Sequence, residues 1–222
     1  MRRYGAIGST IALLLTLGDP ALASARESSP TARISKYVAV GASETRGVGL
    51  NSHEAYPYLV QRPCHVYLTV VAEAGRPALL ERLPRLESTD LVTVFVGVND
   101  IAAFGSQLTR HDVAEFLRSL SAAGRIIVLL MPSVTKLPGL LSLPGAYRDR
   151  QQELYKLIRT SAVGQRFSVV PIAPGPSVTD TLLEPDGIHP NQKGQGFIAR
   201  LIIDRLLRAP ASRAACLRRA IE

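Results

Sequence analysis

Short, unbroken apolar runs alternate along the chain with longer stretches in which apolar residues recur every three or four positions. The runs cover residues 37–40, 66–71, 91–96, 126–130 and 167–172, and Val, Ile and Leu dominate them. The helical spacing covers 54–62, 76–86, 112–123, 147–161 and 192–207. In the fourth stretch Leu154, Leu157 and Ile158 share a face; in the last, Phe197, Leu201, Ile202 and Leu206 do. Pro57 must lie in the first turn of its helix, and Pro84 must end the helix expected over 76–86. An unbroken apolar run, as opposed to an alternating one, marks a strand buried on both faces. That is the pattern of a parallel sheet covered by helices. The expected fold is therefore a three-layer α/β/α domain with five parallel strands.

The length of 222 residues suits one domain, large enough to bury a core without staples. The N-terminus falls outside that pattern. Arg2 and Arg3 precede an apolar run over residues 6–17, which Gly18, Asp19 and Pro20 interrupt. Small residues then flank Ala23 and Ala25. This reads as a secretory signal peptide over residues 1–25, cleaved after Ala23 or Ala25. A retained anchor helix is the alternative. Residues 26–35 are a short leading segment, 36–208 the domain, and 209–222 an Arg-rich tail. The expected location is secreted or periplasmic, with no transmembrane segment after cleavage.

The formal charge is +8, and much of the excess lies in Arg200, Arg205, Arg208, Arg213, Arg218 and Arg219. This favours attraction to acidic surfaces. A solvated helix face is the simpler account. No aromatic residues interleave with these arginines, so a nucleic-acid partner is not expected. His53, His65 and His111 are dispersed and lack metal-ligand spacing.

In an open parallel sheet, ligands bind beyond the carboxyl ends of the strands. The residues there are Gly41-Ala42-Ser43-Glu44, Glu73-Ala74-Gly75-Arg76, Gly97-Val98-Asn99-Asp100 and Asp186-Gly187-Ile188-His189-Pro190. One edge thus collects the parts that acyl transfer needs. Ser43 is a nucleophile if a base takes its proton, and His189 can be that base. Asp186, three residues earlier, can reach the imidazole and fix its tautomer. The Ser43 N–H, the Gly75 N–H and the Asn99 amide are candidate donors to an oxyanion. Arg76 either faces the pocket, favouring an anionic substrate group, or is a solvated helix residue. Residues 132–147 hold Leu137, Leu140, Leu141 and Leu143, which either pack on the core or line an acyl-binding groove.

These blocks resemble the SGNH hydrolases, the GDSL esterase and lipase family, over residues 37–207. Residues 38–43 resemble the nucleophile block, Ala74-Gly75 the oxyanion-glycine block, Gly97-Val98-Asn99-Asp100 the Gly-x-Asn-Asp block, and Asp186-Gly187-Ile188-His189 the Asp-x-x-His block. The resemblance implies a flavodoxin-like sheet, no metal and no organic cofactor. Its implied activity is an esterase acting through Ser43, His189 and Asp186 on a small-molecule or lipid-like ester. A carbohydrate O-deacetylase, a thioesterase or a lysophospholipase would use the same site, and a non-catalytic binding protein is the rival of another kind. The chain departs from the family at Ala42, where Asp is usual, and at Glu44, where Leu is usual. In this topology Cys64 and Cys216 belong near the opposite edge of the sheet. A disulfide is expected of them in an oxidising compartment, two buried thiols being the alternative.

Overall fold

The computed structural model describes residues 34–162, 167–173 and 181–208. The expected signal peptide, the tail from residue 209 and Cys216 lie outside the described residues, as does most of segment 26–35.

Five parallel strands form one sheet in the order β2-β1-β3-β4-β5. They are β1 Lys36–Gly41, β2 Tyr67–Ala72, β3 Asp90–Val96, β4 Arg125–Leu130 and β5 Phe167–Pro171. Every residue of β3 is buried, as are all but the first of β1 and of β4. Their continuous apolar composition follows from this, since neither face meets water. The polar exceptions are paired. The Tyr37 hydroxyl meets Thr93 Oγ1 at 2.9 Å, and Lys36 Nζ lies 3.0 Å from Asp90 Oδ2.

Six helices are described: α1 Ser43–Arg46, α2 Tyr56–Gln61, α3 Val98–Ala103, α4 Arg110–Ser119, α5 Gly145–Ser161 and α6 Gln192–Leu207. α2 and α6 pack together on one face, as right-handed crossovers require of the first and last helices. Gln195, fully buried in α6, joins them: its Oε1 accepts from Tyr56 N at 2.9 Å and its Nε2 donates to Glu44 O at 2.9 Å. α4 and α5 cover the other face, side by side. Thr109 caps α4 by accepting from Asp112 N at 3.2 Å.

The helix expected over 76–86 is not there. Only a single 3-10 turn, Ala78–Leu80, forms, and Glu81 is already extended (φ −73°, ψ 144°). Leu83, before Pro84, is pushed out of the helical region, which cuts the stretch short from its C-terminal side. The apolar spacing still serves burial. Leu79 is buried, and Leu80, Leu83 and Leu86 pack against the core, covering the sheet without a helix. Residues 98–103, directly after β3, form α3. No helix among the described residues is long and apolar enough to cross a membrane.

Candidate active site

β1 ends in a turn that demands glycine. A Cβ on Gly41 would lie 1.8 Å from Thr45 Oγ1. The chain turns at Ala42, whose carbonyl accepts from Thr45 N and Arg46 N, both at 3.1 Å. This places Ser43 at the first position of α1, 7% exposed. Ala42 contributes no side-chain cap. The backbone closes the turn without the family's Asp.

His189 arrives from the other end of the domain. Ser43 Oγ lies 3.0 Å from His189 Nε2, and His189 Nδ1 lies 2.5 Å from Asp186 Oδ2. Asp186 Oδ1 accepts from Ile188 N at 2.8 Å and His189 N at 2.9 Å. One carboxylate thus orders both the turn and the ring. Partial desolvation pushes the Asp186 carboxyl up, but the His189 ring and these backbone N–H groups outweigh it and hold the carboxyl below its usual range. Gly187 makes the turn possible at φ 70°. Glu184 N donates to His189 O at 2.7 Å, and Asn191 caps α6 by accepting from Gly194 N at 3.0 Å.

The apolar segment expected either in the core or in a groove divides. Leu137 and Leu140 are buried, Leu143 is half-buried against the core, and Leu141 is 65% exposed. Its other contribution was not legible: Gly139 packs directly under the acid–base loop. Gly139 N donates to Gly187 O at 3.2 Å, and a Cβ on Gly139 would stand 2.2 Å from Asp186 O. Residues 132–147 therefore brace Asp186 and His189 from below.

Strand register brings the remaining candidates to the same edge. Gly41 pairs with Ala72, and Val40 with Val94, so Ser43, Gly75 and Asn99 follow neighbouring strands at nearly equal depth. Gly75 has φ 85°, and nothing stands within 4 Å of where its Cβ would be. Asn99 is half-buried in the first turn of α3, and its amide makes no hydrogen bond to a described residue. Arg76 points elsewhere, 3.0 Å from Glu73 and 3.6 Å from Glu81.

Two acids behind this edge have roles beyond the motif match. Asp100 is fully buried; its Oδ2 accepts from Gly97 N at 3.0 Å and its Oδ1 from Leu79 N at 2.9 Å. It clamps the start of α3, which carries Asn99, to the crossover that begins at Gly75. Burial pushes its carboxyl up to about 7 against these two N–H groups, and the nearby Glu44 adds to the rise. The Gly-x-x-Asp spacing of a capping box was the available signal. Glu44 is 3% exposed, and its Oε2 lies 3.2 Å from Ser43 Oγ. Burial pushes the Glu44 carboxyl up, opposed by its own backbone N–H, the His189 ring and the Ser43 hydroxyl. Nothing in the sequence distinguishes it from a solvated glutamate. Glu44 also borders a small cavity of about 40 Å³, whose apolar walls include Phe95, Leu137, Ile188, Pro190 and Phe197. No group of His, Cys, Asp and Glu residues suited to a metal occurs among the described residues.

Ser43, His189 and Asp186 stand in one line of hydrogen-bond contacts beyond the carboxyl edge of a five-stranded parallel sheet. The chain belongs to the GDSL-like lipase/acylhydrolase family, which it matches over residues 39–197, and its sheet and helical layers are those of the SGNH hydrolase fold. Members of this family hydrolyse ester bonds. Among curated proteins, none matches the chain by sequence. Solved structures share its fold at low identity. One is a member of the lipolytic G-D-S-L family from Veillonella parvula DSM 2008, with TM-score 0.56, 16% identity, and coverage of 79% of this chain and 99% of that one. TesA gives TM-score 0.56 and 20% identity, covering 78% and 98%. Axe2, an acetylxylan esterase from Geobacillus stearothermophilus, gives TM-score 0.52 and 16% identity, covering 79% and 95%.

Proposed function

We propose that this protein is an exported serine esterase that cleaves carboxylic esters through an acyl-enzyme. The unbroken chain of contacts from Ser43 Oγ through His189 to Asp186 carries this reading. With its Nδ1–H donated to Asp186, His189 presents Nε2 as an acceptor. As Ser43 Oγ attacks the acyl carbon, its proton passes to Nε2, and Asp186 stabilises the imidazolium. The carbonyl π pair becomes an oxyanion, held by the Ser43 N–H, the Gly75 N–H and the Asn99 amide. His189 then protonates the departing alkoxide. Water repeats the sequence on the acyl-enzyme and frees the acid.

The open space at Gly75 and an Asn99 amide with no hydrogen bond to a described residue support their assignment, because a donor must be free to turn towards substrate. The apolar cavity beside the site favours an apolar acyl group. Export rests on the N-terminal pattern of residues 1–25, and the Cys64–Cys216 disulfide on the oxidising compartment that export implies. The test is a p-nitrophenyl ester series from acetate to decanoate, run on the wild type and Ser43→Ala. The wild type is expected to turn over part of the series, and Ser43→Ala to lose at least about 10³-fold. Equal rates in both proteins, or none in either, would refute the assignment.

A further inference from the structure

The hydroxyl of Ser43 has one proton and two neighbours that both need it. His189 Nδ1 faces the Asp186 carboxylate at 2.5 Å and donates there, so Nε2 is an acceptor, 3.0 Å from Ser43 Oγ. Glu44 Oε2, 3.2 Å from the same oxygen, is also an acceptor when ionised. Two acceptors cannot both be satisfied by one hydroxyl proton. If Glu44 carries a proton, the conflict vanishes. Glu44 then donates to Ser43 Oγ, Ser43 donates to His189 Nε2, and His189 donates to Asp186. Each link has one donor and one acceptor.

We propose that Glu44 is a further catalytic residue, working as a neutral carboxylic acid whose O–H donates to Ser43 Oγ and directs the hydroxyl proton to His189; this rests on the esterase reading above. During attack the Oγ–C bond forms, the carbonyl π pair moves to the oxyanion, and the Oγ proton goes to His189 Nε2. The Glu44 proton stays where it is. Ionisation of Glu44 switches the site off for two reasons. The carboxylate draws the Ser43 proton away from the base. It also sets a second negative charge beside the developing oxyanion, in a buried setting where charge is weakly screened.

The surroundings favour the neutral form. Glu44 is 3% exposed and lines a cavity whose walls are otherwise apolar. The charged and titratable groups around it are few. His189, from the loop before α6, favours the carboxylate when it is itself charged, whereas Asp100 from α3 opposes a second negative charge. Tyr56 of α2 and Tyr155 of α5 complete the set. No Lys or Arg acts on Glu44 among the described residues. The family's usual Leu at this position offers neither donor nor acceptor, so Glu44 gives this chain a sensitivity that Leu would not.

The test compares kcat/KM against pH for the wild type and Glu44→Gln, whose amide donates to Oγ but cannot ionise. The wild type is expected to rise on the acid side, then fall about tenfold per pH unit as Glu44 ionises. Glu44→Gln should keep the rise and lose the fall. Superposable profiles would overturn the proposal. If Glu44→Gln does not fold, Glu44→Leu takes its place, expected to lose the fall and to sit about tenfold lower on the plateau for want of a donor. A second measurement needs no turnover: the carbon-13 carboxyl resonance of Glu44, identified by its loss in the variant, and the His189 ring nitrogens are followed against pH. Glu44 should be protonated where the wild type is active, and its titration should move the Nε2 resonance. A carboxyl that is ionised throughout would sink the idea, whatever the ester series shows. Failure of the ester series with the coupled titration intact would instead remove the esterase reading alone.

Discussion

Replacing Asp100 with Asn separates what this buried acid does for the fold from what its charge costs. The carboxyl is fully buried and its ionisation is pushed from 3.8 to about 7. The native state thus holds a proton that the unfolded chain has already released between these values. Stability must fall as pH rises through that window, by up to about 1.4 kcal/mol per unit and roughly 4 kcal/mol in all. Asn cannot ionise, so the variant lacks this slope. It also loses something. Asp100 accepts from two backbone N–H groups, Leu79 and Gly97. An amide has a single oxygen, so one buried N–H is orphaned at about 1–3 kcal/mol. At pH 5 Asp100→Asn should therefore be less stable than the wild type by that amount, and by pH 8 the gap should close or reverse. Urea unfolding from pH 5 to 8 measures this, followed by circular dichroism because the chain has no Trp. Glu44 is present in both proteins and largely cancels in the difference. Parallel curves across the window would show that Asp100 is ionised throughout, and the argument from burial would fail.

Gly139→Ala drives a Cβ into Asp186 O, so kcat should fall about 10²-fold through displacement of His189, with a stability loss of about 1–3 kcal/mol in a parallel melt. Asp186→Asn removes the carboxylate that fixes the His189 tautomer, and kcat on the best p-nitrophenyl ester should drop by about 10⁴ with little change in melting temperature. Thr109→Ala deletes the cap of α4, far from the site, and should cost about 1 kcal/mol in urea unfolding while leaving kcat/KM untouched.

The amino-acid sequence alone determined the layers and most of the site. The five apolar runs became the five strands, because residues buried on both faces must be apolar at every position. The last helix fell at 192–207 as its spacing required. That the candidates Ser43, Asp186 and His189 would meet was legible because Ser43 follows β1, the Asp186–His189 segment opens the last helix at the same edge of the sheet, and Asp186 lies within one turn of the ring it contacts. Periodicity misled over 76–86, where spacing recorded burial and not helix. Leu79 and its neighbours cover the sheet from a single 3-10 turn and the extended chain after it, where Pro84 keeps Leu83 out of the helical region.

Only the tertiary structure decided where the polar residues of the candidate site come to rest. Glu44 has the same composition signature buried or solvated; α6 and the loop before it, almost 150 residues away, close over it and set it against Ser43. Gly139 became a brace because the Asp186–Gly187 turn crosses it at backbone distance. Apolar periodicity registers which face of an element is covered, a property of that element alone. A hydrogen bond between distant segments depends on where two elements come to rest relative to each other, and that is settled only when the whole core packs.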